Sequence, residues 1–140
     1  MVVTFFGHRD APESVRPRLE EAIRGLIVRG ATLFAVGNQG AFDRMALGIL
    51  SACQKENPGI RVLLVLAYRP TVGSPIPAGV ETVYPLVDGV PRFAIDRRNR
   101  WMIGRADVVI SYVVHSFGGA DKYTKIAERE GKEIVRISEN

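Results

Sequence analysis

The chain has 140 residues, of which 46% are hydrophobic and 24% are charged, and its formal net charge is +4. A chain of this length forms one domain that can bury a core without disulfides or metals. Its single cysteine, Cys53, excludes an intramolecular disulfide and a cysteine-built metal cluster. No apolar run reaches the ~20 residues that span a bilayer, and the first residues show no basic leader or small-residue cleavage site. We therefore expect a cytoplasmic protein without a membrane partner.

The first half of the chain alternates short apolar runs with segments of helical period. Residues 2–6 and 32–36 are rich in β-branched and aromatic residues, which predicts two strands. Residues 12–29 and 41–55 repeat apolar side chains every three to four positions, which predicts two helices. We expect Pro12 in the first turn of the first helix, where its missing N–H is not needed.

The middle of the chain is less regular. Residues 61–67 form a nearly continuous apolar run, which is typical of a parallel strand covered on both faces. Residues 68–91 hold five of the eight prolines, with a short candidate strand at 81–84. This segment is interpreted as a long loop over the sheet rim, which serves either as a lid or only as a surface connection.

The last third resumes the alternation. Helices are predicted over residues 92–105 and 120–130, and strands over 107–113 and 133–137. Strands that alternate with helices indicate parallel pairing, because each crossover helix returns the chain to the same end of the sheet. The sequence therefore predicts an α/β fold: a single Rossmann-like domain over residues 1–140, with a mainly parallel sheet of five or six strands and helices on both faces.

Three polar, glycine-bearing turns directly follow predicted strands. In a parallel sheet these turns lie at one edge, where ligands bind. Glycine lets backbone approach a ligand closely, and each following helix offers free N–H groups to a phosphate. The alternative is that these glycines only make tight strand–helix connections, since the motifs GxGxxG and GxxxxGK[ST] are absent. The predicted ligand contacts in the three turns are Gly7, His8, Arg9, Gly37, Asn38, Gly40, Ser116, Gly118 and Gly119.

The predicted helix over 92–105 carries polar residues on the face that should be buried. Arg98 and Asn99 lie between Ile95 and Met102 on that face. A guanidinium there can hold a phosphate or carboxylate through two hydrogen bonds, although an arginine can also pack its stem and reach solvent with its head group. We interpret Arg98 and Asn99 as ligand-binding residues.

Two titratable residues near the turns have competing interpretations. His8 is either a ligand contact and general acid or part of a cap for the following helix. Asp43 lies in the first turn of a helix, so it either caps that helix or accepts a ribose hydroxyl. The two histidines and scattered carboxylates show no metal-ligand spacing, so no metal site and no required cofactor are expected.

Four segments, in this order, resemble the SLOG superfamily, a Rossmann-like group that contains the DNA-processing Smf proteins and the Lonely-guy enzymes. The resemblance is greatest to its small stand-alone bacterial members. It implies a nucleotide or nucleotide-derived ligand, such as a nucleoside phosphate or an ADP-ribose-like molecule, and a possible homodimer. The segments are FFGHRD, VGNQGAFDRMAL, DRRNRWMI and SFGGADKYTKIAEREGKEIV.

The resemblance also points to an activity. Lonely-guy enzymes cleave the N-glycosidic bond of nucleoside monophosphates with an arginine that Arg98 matches and a glutamate whose place Lys125 occupies. Arg98 is thus the catalytic candidate, but hydrolysis needs a carboxylate, and Asp43 and Asp121 are the candidates to replace that glutamate. Three functions stay open: a nucleotide-binding domain, with or without a sensing role; a nucleoside-monophosphate N-glycosidase or deoxyribosyltransferase-like enzyme; and a single-stranded DNA binder like Smf-type relatives.

Overall fold

A computed structural model describes residues 1–69, 76–85 and 89–139. Within these ranges the chain forms six strands: Val2–Gly7 (β1), Leu33–Val36 (β2), Arg61–Val65 (β3), Val80–Val83 (β4), Val108–Tyr112 (β5) and Glu133–Arg136 (β6). The same ranges contain four α-helices: Arg16–Val28 (α1), Ala41–Glu56 (α2), Ala94–Arg105 (α3) and Gly119–Arg129 (α4). Short 3-10 turns at Glu13–Val15 and Pro91–Phe93 lead into α1 and α3.

All strand pairs of the sheet are parallel, in the order β4-β3-β2-β1-β5-β6. The chain builds the sheet outward from β1 to β4 and then crosses back to add β5 and β6 on the other side of β1. The predicted α/β, Rossmann-like architecture is confirmed. The strand order reverses between β1 and β5, and in open parallel sheets this is where a crevice opens beyond the strand ends.

Two apolar layers cover the sheet, and side-chain alternation along β1 divides its residues between them. Phe5 faces the layer of α1 and α2, whereas Phe6 faces the layer of α3 and α4. Each large apolar side chain buried in this way stabilises the fold by about 1.5–3 kcal/mol. The larger layer includes Leu19, Ile23, Phe34, Phe42 and Ile49, and the smaller one includes Met102, Ile103, Val109, Tyr123 and Ile126.

The start of α1 differs from the prediction. A 3-10 turn occupies Glu13–Val15, with Pro12 before it in extended conformation, and the α-helix begins only at Arg16. Pro17, not Pro12, lies in the first turn of the α-helix. Proline has no backbone N–H. Pro17 therefore fits the first turn of the helix, where an N–H would find no acceptor within the helix.

The irregular segment before α3 is described in part. The short strand predicted at 81–84 is present one position earlier, as β4 at the sheet edge. The lid prediction for residues 68–91 falls in part on residues 70–75 and 86–88, which lie outside the described residues. In the described ranges, no helix combines the length and the apolar character that a bilayer crossing requires.

Candidate functional site

A cavity of about 400 Å³ opens at the carboxyl ends of β1 and β5. It brings together segments that follow β1, β2 and β5 with one face of α3. Among the predicted site residues, its lining includes Gly7, His8, Arg9, Asp43, Arg98, Asn99, Gly118 and Gly119. Gly37, Asn38, Gly40 and Ser116 are not part of this lining.

Arg98 is a buried arginine in the cavity wall, and only 2% of its surface is exposed. Its Nη1 donates to the Val65 carbonyl at 3.0 Å and lies 3.5 Å from Asn38 Oδ1, while Nε donates to Asn99 Oδ1 at 2.8 Å. Among the described residues, no carboxylate lies within the 4 Å of an ion pair with Arg98. Burial lowers the pKa of Arg98, but an arginine stays protonated in proteins. The cavity wall therefore holds a cation without a contacting counter-ion.

The N-terminus of α4 lines the same cavity with Gly118, Gly119 and Ala120. Gly118 precedes the helix with φ 88° and ψ −179°, a conformation that is essentially restricted to glycine. Over the described part of the chain, the N–H groups of Gly119, Ala120 and Asp121 donate to no protein acceptor. An α-helix leaves its first donors unsatisfied, and these donors suit an anion.

The turn before α2 is closed by the protein itself. Gly40 has φ 104°, and the Ala41 N–H donates to the Arg9 carbonyl at 2.8 Å. The Gln39 N–H donates to Asp43 Oδ2 at 2.9 Å. A Cβ added at Gly40 would lie 2.6 Å from the Arg9 Cα. Gly40 therefore lets two loops pack together, which is the connection role that the sequence left open.

Gly37 contributes to the site although it does not line it. A Cβ at this position would lie 2.9 Å from Arg98 Cζ and 3.0 Å from Asp43 Oδ2. Any larger residue would displace one of these two charged side chains. Gly37 thus provides the space in which Arg98 and Asp43 approach each other.

Asp43 is one of two carboxylate residues in the cavity lining, with Asp10. It is half-buried, and its Oδ2 accepts the Gln39 N–H. Burial raises its pKa to about 6, although the Gln39 N–H and Arg98 both favour the charged form. The group can therefore exchange a proton near neutral pH.

His8 connects β1 to the loop after β5. Its Nε2 accepts the Val114 N–H at 2.9 Å, so a neutral His8 carries its proton on Nδ1. The 3-10 turn that follows has no side-chain cap, so the predicted capping role of His8 is not observed. Burial lowers the pKa of His8, with a smaller contribution from His115.

Sequence reasoning missed Tyr123. Its hydroxyl donates to Asp96 Oδ1 at 2.6 Å, and its ring packs on Phe6 with 5.6 Å between centroids. Burial and the Asp96 contact raise its pKa to about 12, so it remains a protonated donor. The available signal was its position four residues after Gly119, on the same side of α4. Further lining residues outside the predicted set are Phe5, Phe6, Asp10, Gln39, Ile95, Met102, His115 and Ala120.

The sheet order and the cavity define the class of this protein: an α/β domain of Rossmann-like architecture with a candidate ligand site where the strand order reverses. No protein-family model matches the chain, and no curated protein matches it. The functional interpretation therefore depends on the geometry of this cavity.

Proposed function

We propose that this protein binds a nucleotide or a nucleotide-derived ligand, a nucleoside phosphate or an ADP-ribose-like molecule, in the cavity between β1 and β5. The domain would be of the SLOG type and would act as a binding or sensing module. One observation carries the proposal: the buried Arg98, without a contacting counter-ion, and the unsatisfied amides at the start of α4 line the same cavity.

Both features favour an anion such as phosphate. A guanidinium and helix N-terminal amides both donate charge-assisted hydrogen bonds to phosphate oxygens. Bringing an anion next to Arg98 would also remove the free-energy cost of a buried charge that has no contacting carboxylate. The cavity volume of about 400 Å³ lies within the range of small-molecule sites.

The rest of the lining favours a ligand with more than a phosphate. Asp43 offers carboxylate oxygens that accept hydrogen bonds, and these oxygens repel a bare anion when Asp43 is charged. Tyr123 and His8 add polar atoms beside apolar walls formed by Ile95 and Met102. Arg98 and the α4 amides supply donors, whereas Asp43 supplies acceptors. A molecule that combines a phosphate with a sugar hydroxyl has a group that suits each.

Calorimetric titration with AMP, ADP-ribose and NAD tests the proposal. We expect saturable binding of at least one ligand and a loss of about 10- to 100-fold in affinity for Arg98→Met, since each charge-assisted hydrogen bond contributes ~1.5–3 kcal/mol. Arg18→Met is the matched control, because Arg18 is exposed and pairs with Glu21 on α1. No saturable heat up to millimolar ligand with the wild-type protein would contradict the proposal.

Arg98→Lys provides a second variant if Arg98→Met does not fold. Lysine keeps the charge but lacks the planar fork that binds two phosphate oxygens. We expect this variant to bind more weakly than wild type while retaining a cooperative thermal transition. Wild-type affinity in a folded Arg98→Lys protein would show that the fork does not contact the ligand.

A second candidate function is cleavage of an N-glycosidic bond, and the position of Asp43 favours it. A carboxyl whose pKa is about 6 can transfer a proton near neutral pH. The residue in the place of the Lonely-guy glutamate, Lys125, is instead ion-paired with Asp121 at 2.9 Å. Asp43 is therefore the candidate for proton transfer in this cavity.

Release of free base from nucleoside monophosphates tests this second function. Asp43→Asn should abolish release, whereas Asp121→Asn should leave most of it, since Asp121 pairs with Lys125 and is not part of the cavity lining. Binding without any release of base would reject the enzyme and leave the sensing module.

A further inference from the structure

Three aromatic rings are stacked between β1 and α4. The His8 and His115 rings lie 3.9 Å apart between centroids with 21° between their planes. The His115 and Phe117 rings lie 4.0 Å apart with 17° between planes. His8 is buried at the inner end, His115 is half-buried, and Phe117 is 69% exposed at the outer end.

Hydrogen bonds to the backbone hold the two histidines of this stack in place. The Val114 N–H donates to His8 Nε2 at 2.9 Å. His115 Nδ1 lies 3.0 Å from the Phe117 carbonyl, and because a carbonyl only accepts, His115 carries a proton on Nδ1. Both bonds use backbone atoms of the loop between β5 and α4, and this loop also carries Phe117 at the outer end of the stack.

The outer ring is exposed to solvent in this structure. A phenylalanine that exposes most of its surface gives up a large part of its burial free energy. Among the described residues, His115 is the one ring that stacks on Phe117. A flat aromatic group placed over the other face would continue the stack with offset or parallel ring geometry.

The stack lies directly beside the proposed phosphate site. Phe117 precedes Gly119 by two residues, so their Cα atoms are at most about 7.6 Å apart. His115 lines the main cavity and also a shallower one, whose wall includes Ser116, Phe117 and Asp121. Phe117 lines only the second cavity, and His115 lines both, so a ligand held at the α4 amides that extends past His115 enters the cavity that Phe117 lines.

We propose that Phe117, supported by His115 and His8, is the stacking site for the aromatic base of the ligand. This inference rests on the proposed nucleotide binding, and it adds that the ligand is recognised through a flat heteroaromatic ring as well as through its phosphate. Stacking on an aromatic side chain tolerates different bases, because every base has a π-face. The site thus selects nucleotides over sugar phosphates without selecting strongly among purines and pyrimidines.

Titration of wild-type protein and Phe117 variants with AMP and ribose 5-phosphate tests the inference. Phe117→Ala should weaken AMP binding about 5- to 150-fold and change ribose 5-phosphate binding less than about twofold. Phe117→Tyr keeps the ring and should retain wild-type affinity for AMP. Val114→Ala is the matched control, because Val114 is 64% exposed in the same loop and is not part of the stack.

The outcomes separate this inference from the proposed function. If wild type binds neither AMP nor ribose 5-phosphate, this inference fails, and the nucleotide proposal fails with it only when ADP-ribose and NAD do not bind either. If both ligands bind and Phe117→Ala weakens neither, or weakens both equally, the anion site stands and the stacking site is rejected. Wild-type AMP binding by Phe117→Ala together with loss of binding by Val114→Ala would likewise overturn the assignment to Phe117.

Discussion

Helices α2 and α4 start in nearly the same way. Each follows a strand that ends at the same edge of the sheet, and each is preceded by a glycine with positive φ. Gly40 has φ 104° and ψ −168°, and Gly118 has φ 88° and ψ −179°. A sequence pattern of glycine before an amphipathic helix does not distinguish the two.

The two helix starts differ in what surrounds them. At α2, the Arg9 backbone packs against Gly40, the Ala41 N–H is already bonded, and Asp43 places a carboxylate at the entrance. At α4, the nearest atom to a Cβ on Gly118 would be His115 Cε1 at 3.9 Å. One glycine therefore allows two loops to pack, and the other leaves helix amides open to a ligand. The acceptors around a helix start, not the glycine, decide between these roles.

The largest expected effect on the free energy of unfolding is that of replacing Gly40 with alanine. Gly40→Ala adds a methyl group 2.6 Å from the Arg9 Cα in a conformation that L residues rarely adopt. We expect the free energy of unfolding to fall by about 3 kcal/mol or more. Gly118→Ala meets only the conformational cost of about 1–3 kcal/mol. Urea unfolding of both variants measures the difference, and equal losses would contradict the contrast between the two helix starts.

The next largest effect on the free energy of unfolding is expected at Asp43, in the first turn of α2. Burial raises the pKa of Asp43 to about 6 from 3.8, so the folded state holds this proton more tightly than the unfolded state. The resulting destabilisation is absent below about pH 3.8 and complete above about pH 6. Asp43→Asn should therefore raise the free energy of unfolding by about 1–3 kcal/mol at pH 8, and by little at pH 4. Denaturation at both pH values tests this, and a gain that did not depend on pH would contradict it.

A smaller stability effect, with a clear effect on binding, is expected at Gly37. Gly37→Ala would press on the end of the Arg98 side chain, which can move. We expect less than about 1 kcal/mol of lost stability, because a flexible side chain can shift, but a severalfold loss of affinity for AMP. Gly104→Ala on α3, where a Cβ meets no atom within 4 Å, is the control.

The smallest stability effect is expected at Gly119. This residue does not have positive φ, and a Cβ there would lie 3.9 Å from Tyr123. Gly119→Ala should change the free energy of unfolding by no more than about 0.5 kcal/mol. Its methyl group would lie at the proposed phosphate site, so affinity for AMP should fall severalfold in the same calorimetric titration. Unchanged affinity would show that the α4 amides do not hold the phosphate.

The fold was predictable from the sequence because its signals are local. Apolar runs such as 61–67 and helical periods such as 41–55 specify parallel strands and their crossover helices without reference to distant residues. The buried position of Arg98 on α3 was also predictable, because a charged residue on the inward-facing side of a helix departs from the apolar pattern around it.

The parts of the site that the sequence did not predict depend on distant contacts. Nothing in the sequence around His8 indicates that the Val114 amide, 106 positions away, bonds to it. Tyr123 on an amphipathic helix is usually a core residue, and only the shape of the cavity shows it as a wall. The turn at Gly40 packs against the Arg9 backbone, and Arg9 precedes α1 whereas Gly40 precedes α2. The sequence around Gly40 does not indicate this contact.

The position of β1 in the sheet has a consequence for biosynthesis. Its neighbour β5 lies more than a hundred residues further along the chain, and α4 follows after that. The cavity therefore forms only after the segment through α4 has been synthesised, because β1 has no β5 to pair with before that. A ligand of the proposed kind would bind only molecules in which β1 and β5 are paired, and its binding would shift the folding equilibrium of the entire domain rather than of one loop.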